Sequence, residues 1–183
     1  HTDDTPVPVL AKDKTKQGRL WVYLADHSTH YPCCVYEYTP TRSQSGPLKF
    51  LAHYEGYLQA DAYNGYDKLY TDGRIIEVGC FAHARRKFYD IAVAAKAPSH
   101  AQDIIDRIAR LYAVERDAKS LTSFARYYYR KKHSKPILNN LRRQLNRHKQ
   151  SAMPNTPFYN AVQYALNHWI ALNRYLAHGD LNI

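Results

Sequence analysis

The run Tyr57–Phe88, YLQADAYNGYDKLYTDGRIIEVGCFAHARRKF, constrains the fold more than any other part of the chain. A short apolar run, Tyr57 to Ala60, ends at Asp61. A turn-and-helix pattern follows from Ala62 to Tyr70 and is stopped by Asp72-Gly73. A second apolar run, Arg74 to Val78 with Ile75 and Ile76, then leads into Cys80. Two strands joined through a helix need a crossover and should lie parallel, which points to a mixed α/β core. Both strand ends carry chemistry. Asp61 closes the first, where a carboxylate can hold a metal rigidly, and Cys80-x-x-His83-x-Arg85-Arg86 opens a basic helix beside the second, a natural place for a phosphate backbone.

Upstream, the chemistry is strand-rich. Val7, Val9 and Leu10 follow the acidic pair Asp3-Asp4, and Lys12 to Gly18 reads as a polar turn. Leu20 to Leu24 is an apolar strand ending near Asp26, and Cys33 to Tyr38 is a third strand between Pro32 and Pro40. Loops of this length predict an antiparallel meander, followed by a short helix over Pro47–Tyr54. Beyond Ala82 the pattern is helical throughout. Helices are expected over Phe81–Lys96, then from a Ser99/Gln102 capping box through Ile104, Ile105, Ile108, Leu111 and Tyr112. A basic stretch from Leu121 to Lys149 is expected to break near Ser134-Lys135-Pro136. Thr156-Pro157 begins a last helix carrying Phe158, Val162, Ala165, Leu166, Trp169, Leu172 and Leu176, which Gly179 should end.

Composition narrows the partners. Lys and Arg outnumber Asp and Glu 26 to 16, a net charge of +10, which suits a polyanion because basic contacts to phosphate release condensed counterions. At 45% hydrophobic residues the chain can build a core. It lacks any run of roughly 18 apolar residues able to span a bilayer, and no signal-peptide pattern precedes Asp3. Three cysteines, with Cys33 and Cys34 adjacent, make a poor disulfide framework. A cytosolic location is expected. The abrupt opening at His1-Thr2-Asp3 and the close at Gly179-Asp180-Leu181-Asn182-Ile183 read as an excised fragment.

The order β-β-β-α-β-α-β-α is that of the ribonuclease-H-like fold, in which an aspartate on the first strand lies beside one at the end of the fourth. Carboxylates suit magnesium or manganese, hard cations that prefer oxygen. Two such ions about 3.5–4 Å apart would activate an attacking hydroxyl and stabilise the leaving oxygen at phosphorus.

The segments HTDDTPVPVL, GRLWVYLAD, YLQADAYNGY, CFAHARRKF and YALNHWIALNRYLAHGDLNI together resemble transposases of the insertion-sequence 66 family. The resemblance covers nearly the whole chain. It implies a five-stranded ribonuclease-H-like sheet with flanking helices over residues 1–96, lacking its last helix, and an all-α insertion over 97–183. It implies an Asp-Asp-Glu enzyme that uses two metals to cut transposon ends and join the new 3′ hydroxyl to target DNA. The first acidic ligand falls on Asp3 in an Asp-x-Thr context and the second on Asp61. Asp4 stands where many relatives have glutamate, so Asp3 and Asp4 compete for the first role, with Asp3 preferred. The family's glutamate follows an Asn-Asn-x-x-Glu-Arg type motif expected beyond Ile183. Glu115, in the helical insertion, and Asp180, in a connecting loop, are poor substitutes. The fragment alone is therefore expected to be inactive. Partners implied are transposon-end and target DNA and further copies of the chain in the active complex, in a bacterial cytoplasm at the nucleoid.

Each site residue also has a plainer reading. Asp61 could simply cap the following helix. Cys80 and His83 lack the further ligands of a structural zinc site; Cys80 reads as a buried strand-end thiol, and His83 either as a DNA-side residue or as a hydrogen-bonded helix-start residue. Arg85 and Arg86 could hold phosphate through paired donors or form packing salt bridges. The mixed run Arg126 to His133 could clamp or stack DNA, while Arg142, Arg143 and Arg147 offer the better basic face. Trp169 reads as core. Two rivals to transposition remain: a nuclease or resolvase of the same fold, and a non-catalytic DNA-binding remnant.

Overall fold

A computed structural model of the chain describes residues 1–12, 14–25, 32–95 and 99–183. Within them the protein is mixed α/β and divides into two compact units, His1–Glu77 and Val78–Ile183. Asp13 in the first turn, Asp26 near the expected end of the second strand, and Lys96 at the expected end of the first long helix lie outside the described residues.

The first unit opens with the expected meander. β1 (Thr2–Leu10), β2 (Thr15–Ala25) and β3 (Cys33–Thr39) form one antiparallel sheet in the order β1-β2-β3. The turn is shorter than its polar composition suggests, because Leu10 already pairs with Thr15 and Val9 with Lys16. Backbone pairing asks nothing of side chains that point into water, so Lys16 and Gln17 extend the strand although both are exposed. After α1 (Ser45–Phe50), β4 (Gly56–Ala60) and β5 (Ile75–Gly79) pair in parallel. Their link is a 3-10 helix over Asn64–Tyr70. Its longer rise per residue spans the crossover with fewer residues than the α-helix expected there.

The backbone ladders thus give two sheets where the sequence predicts one of five strands. β1 and β4 run close together, but no ladder joins them among the described residues. A physical reason lies in β1. His1 and Leu24 exchange both backbone hydrogen bonds, at 2.8 Å each, so the odd residues of β1 turn their N–H groups toward β2. The even ones face the opposite edge, and there Pro6 and Pro8 have no N–H to offer. The unit is held instead by packing: Trp21, Tyr23, Leu51, Leu58, Ala60, Tyr66, Leu69 and Ile75 form one buried cluster. The Trp21 indole N–H donates to Thr39 Oγ1 at 2.7 Å.

The second unit is helical: α2 (Phe81–Ala94), α3 (His100–Asp117), α4 (Ser123–Ser151), α5 (Pro157–Asn167) and α6 (Trp169–Asn173), closed by a 3-10 turn over Arg174–Ala177. Its core draws Phe81 and Phe88 from α2, Ile104, Ile108 and Leu111 from α3, Leu138, Leu141 and Leu145 from α4, and Val162 from α5. Trp169 joins the same core, as expected.

Three local expectations change here. Ser99 is the N-cap of α3, yet its side chain makes no capping bond, and the Gln102 amide donates to Asp106 at 2.8 Å, so the capping box does not form. α4 runs unbroken through Pro136. The carbonyl that Pro136 leaves without a donor is that of Lys132, and both residues lie on the exposed face, which is open to water. Ser134, Leu138 and Leu141 meanwhile bury the other face. The last helix breaks at His168. Beyond the break the backbone of Leu172 crosses Gly79 so closely that a β-carbon there would lie 2.9 Å from the Leu172 nitrogen.

Candidate functional site

Asp3 and Asp4 are neighbours on β1 with different surroundings. Asp4 pairs across the sheet with Trp21, on the buried face, and its carboxyl is only 1% exposed. Arg19 donates to its Oδ2 at 3.0 Å, and Arg42 approaches its Oδ1 through Nε at 2.9 Å and Nη2 at 2.7 Å. Asp3 pairs with Val22 on the other face and is exposed. Its Oδ1 accepts from the Asp4 backbone N–H at 2.9 Å, which fixes the carboxylate to the strand.

Asp61 follows the last residue of β4 and is half-buried. Its Oδ1 accepts the Tyr63 N–H at 3.2 Å, and its Oδ2 takes Arg42 Nη2 at 3.3 Å. The bond to a residue two positions on is an Asx turn. The residue that caps the 3-10 helix is Tyr63, and it does so without a side-chain bond, so Asp61 is not the helix cap.

Asp3 and Asp61 each bring a carboxylate oxygen to within 4.8 Å of the other. Two oxygens on one octahedral magnesium lie roughly 3–4 Å apart, given bonds of about 2.0–2.1 Å. A small side-chain rotation closes the difference, and an all-carboxylate donor pair is the chemistry such an ion prefers. These residues therefore fit a hard divalent cation. The negative field is felt nearby: burial first, then the charges of Asp61, Asp4 and Asp3, raise the Tyr66 phenol above its ordinary range. Tyr66 OH lies 3.4 Å from Thr2 Oγ1 beside the acidic pair.

Arg42 is the residue that sequence reading passes over. It follows β3 in a polar loop with no periodicity to mark it. It nonetheless joins Asp4 to Asp61 and lies over the Tyr63 ring, 4.1 Å from its centroid.

In the second unit, His83 lies in the first turn of α2 and is hydrogen-bonded to Cys80. Burial pushes the Cys80 thiol up, but the bonds from His83 and the local backbone outweigh it, leaving the thiol below its ordinary value. Cys-x-x-His is thus a local pair at a helix start. Arg85 is half-buried with its guanidinium over Tyr89, 5.5 Å from the ring centroid, and Arg86 is exposed. Neither makes a salt bridge among the described residues.

Arg142, Arg143 and Arg147 are exposed on α4 and have no acidic partner among the described residues. Arg142 and Arg143 line a shallow depression with Pro136, Asn139 and Asn146. The preceding mixed run is different. Arg130 is 1% exposed and spends its guanidinium on Glu115 at 2.6 Å and on the carbonyls of Tyr175, His178 and Leu181 at 3.0, 2.9 and 2.8 Å. Arg126 donates to the carbonyls of Ala118, Lys119, Leu121 and Gly179. Both arginines are framework, so a DNA clamp in this run would rest on its exposed members such as Tyr128, Lys131 and Lys132. A signal was present: Arg130 and Ser134 extend the stripe Leu138, Leu141, Leu145 backward at helical spacing. Glu115, bound by Arg130, is accounted for structurally.

A family profile described as "Transposase IS66 family" matches residues 1–183. Among curated proteins, the chain is similar to three uncharacterized proteins of Sinorhizobium fredii (strain NBRC 101917 / NGR234). It is 29% identical to y4hP over 98% of this chain and 36% of that protein. It is 28% identical to y4jD over 100% of this chain and 38% of that protein, and 28% identical to y4qI over 99% and 36%. The chain thus spans little more than a third of the length of these relatives. No solved structure matches it.

Proposed function

The chain belongs to the transposase IS66 family, and from that premise we propose that it is part of the catalytic domain of a DNA transposase, with Asp3 and Asp61 as its metal-binding carboxylates. The convergence of those two side chains to within 4.8 Å carries the reading. Asp4 is the weaker candidate because two guanidiniums already occupy its oxygens.

The proposed core is ribonuclease-H-like and spans residues 1–96, with 97–183 as its helical insertion. The β1-β2-β3 meander, the parallel β4/β5 pair and the closeness of β1 to β4 support it. Magnesium or manganese, bound as a pair, would activate the attacking hydroxyl and stabilise the leaving oxygen at phosphorus. The protein's own part is to fix the carboxylates: the Asp4 N–H orients Asp3, and the Tyr63 N–H orients Asp61. His83, Arg85 and Arg86 at the start of α2, and Arg142, Arg143 and Arg147 on α4, are the proposed contacts to DNA phosphates. The substrates are transposon ends and target DNA, the working form is an oligomer of the full-length protein, and the setting is the bacterial nucleoid. Among the described residues no helix is long and apolar enough to cross a membrane.

Glu115 belongs to the Arg130 framework and is not proposed as the third carboxylate. The family resemblance implies that this carboxylate follows an Asn-Asn-x-x-Glu-Arg type motif outside residues 1–183. Residues 1–183 alone should bind metal weakly and transfer no strands. The test is strand transfer by a full-length protein containing this segment, with magnesium, against Asp61→Asn in the same protein. Joined products that vanish in the variant are expected. Hydrolysis without joining would favour a nuclease or resolvase. DNA affinity indifferent to magnesium and to Asp61→Asn, with no cleavage, would leave a binding module only.

A further inference from the structure

If Asp3 and Asp61 are metal ligands, Arg42 holds a position that bears directly on them. It is tied on several sides. Its guanidinium meets Asp4 Oδ1 at 2.7 Å and Asp61 Oδ2 at 3.3 Å, its face covers the Tyr63 ring, and its own carbonyl accepts the Tyr63 hydroxyl. The link therefore runs from the end of β3 to the segment that bears Asp61. The two acids differ in what else holds them. Asp4 keeps Arg19 on its second oxygen, whereas among the described residues Asp61 has the Tyr63 N–H on its other oxygen.

Charge explains why such a group is present. Asp3, Asp4 and Asp61 put three carboxylates around Tyr66, and Arg19 and Arg42 supply the nearby cations. Arg42 is 37% exposed, so its arm is reached by water and can move without opening the core. A divalent ion approaching Asp61 finds one oxygen already engaged by a cation, at a distance where like charges repel.

We propose that Arg42 is the resident counter-ion of this acidic site: it neutralises Asp4 and Asp61 in the metal-free protein, gives up Asp61 Oδ2 when a divalent cation binds, and so sets the cation affinity. It is a positioning residue for Asp61 and touches no substrate in this role. The weaker, longer contact to Asp61 is the one that opens, and the paired contact to Asp4 stays as the pivot.

The test is manganese binding followed by calorimetry and by electron paramagnetic resonance. The proteins are the full-length protein containing this segment and its Arg42→Gln, Arg42→Met, Arg42→Lys and Asp61→Asn variants. Removing the positive charge should tighten manganese binding roughly tenfold, the order expected for deleting one like charge near a dication in a watery dielectric. Arg42→Lys, which keeps the charge, should stay near wild type. Manganese should also raise the melting temperature of the neutral variants more than that of wild type, because the ion then replaces the missing counter-ion. Either neutral variant suffices if the other does not fold. In the wild-type protein, the Arg42 guanidinium resonances should shift with the same midpoint as magnesium binding.

Manganese binding that depends on Asp61 but is unchanged or weakened in the neutral variants would overturn the role of Arg42 and leave the metal site standing. Guanidinium resonances that stay fixed while the site saturates would do the same. No manganese binding, or binding indifferent to Asp61→Asn, would overturn both readings.

Discussion

Asp3 and Asp4 are adjacent acids that the strand sends to opposite faces, and the difference in their neighbours makes their substitutions separable. Asp4 lies against Trp21 with two guanidiniums on its oxygens, so Asp4→Asn should lower the unfolding free energy by roughly 1–3 kcal/mol, the range for losing hydrogen bonds to charged groups. Urea denaturation would read it. Asp3 is exposed and accepts a bond from the Asp4 N–H, so Asp3→Asn should leave stability within about 0.5 kcal/mol while weakening manganese binding at least roughly tenfold. A metal-binding loss in Asp4→Asn alone, with Asp3→Asn behaving as wild type, would transfer the ligand role to Asp4. The two residues could not be separated from sequence, because alternation says that they face different ways and not which face meets Asp61.

Among the elements, α4 shows most clearly how tertiary packing overrides a local rule. Pro136 removes one intrahelical bond from an exposed turn, and the buried residues Arg130, Ser134, Leu138, Leu141 and Leu145 hold both sides of it in register. Pro136→Ala should therefore stabilise the chain by about 1–3 kcal/mol, restoring the donor to Lys132 without disturbing the core. Thermal melting followed by circular dichroism would show it, and an unchanged or lower midpoint would mean that the ring makes packing contacts of its own. Arg130 ties α4 to Glu115 of α3 and to the carbonyls that follow α6. Arg130→Met leaves Glu115 and those carbonyls without their donor, at an expected cost of about 3–5 kcal/mol by urea denaturation. A loss under about 1 kcal/mol would mean that the methionine packs well enough to offset the missing bonds. Gly179 belongs to the same closure: a β-carbon there would meet the Ser123 carbonyl oxygen at 1.8 Å, at the start of α4.

For the molecule as a whole, the net charge of +10 says that a polyanion is attracted and leaves open where. Framework use removes Arg126 and Arg130 from the candidates, while Arg142, Arg143 and Arg147 stay exposed and without an acidic partner among the described residues. Replacing those three with glutamine should weaken DNA binding at low salt. The slope of log affinity against log salt should fall by about 1 for each phosphate that is no longer neutralised. The melting temperature should hardly move. An unchanged slope would place the phosphate-binding residues elsewhere, with Arg86 the next to test.

Read alone, the sequence determined the order of the elements, the antiparallel meander and the parallel pair after it, and the apolar stripes of the helices. These follow from local periodicity and turn chemistry, which are properties of neighbouring residues. Only the tertiary structure decided that β1 and β4 lie close without a shared ladder, that Pro136 stays inside a helix, and that Arg130 is core. It alone brought Asp61 to Asp3 and drew Arg42 across to Asp4. Each of these depends on what a distant segment places beside the residue, and neither charge nor spacing along the chain carries that information.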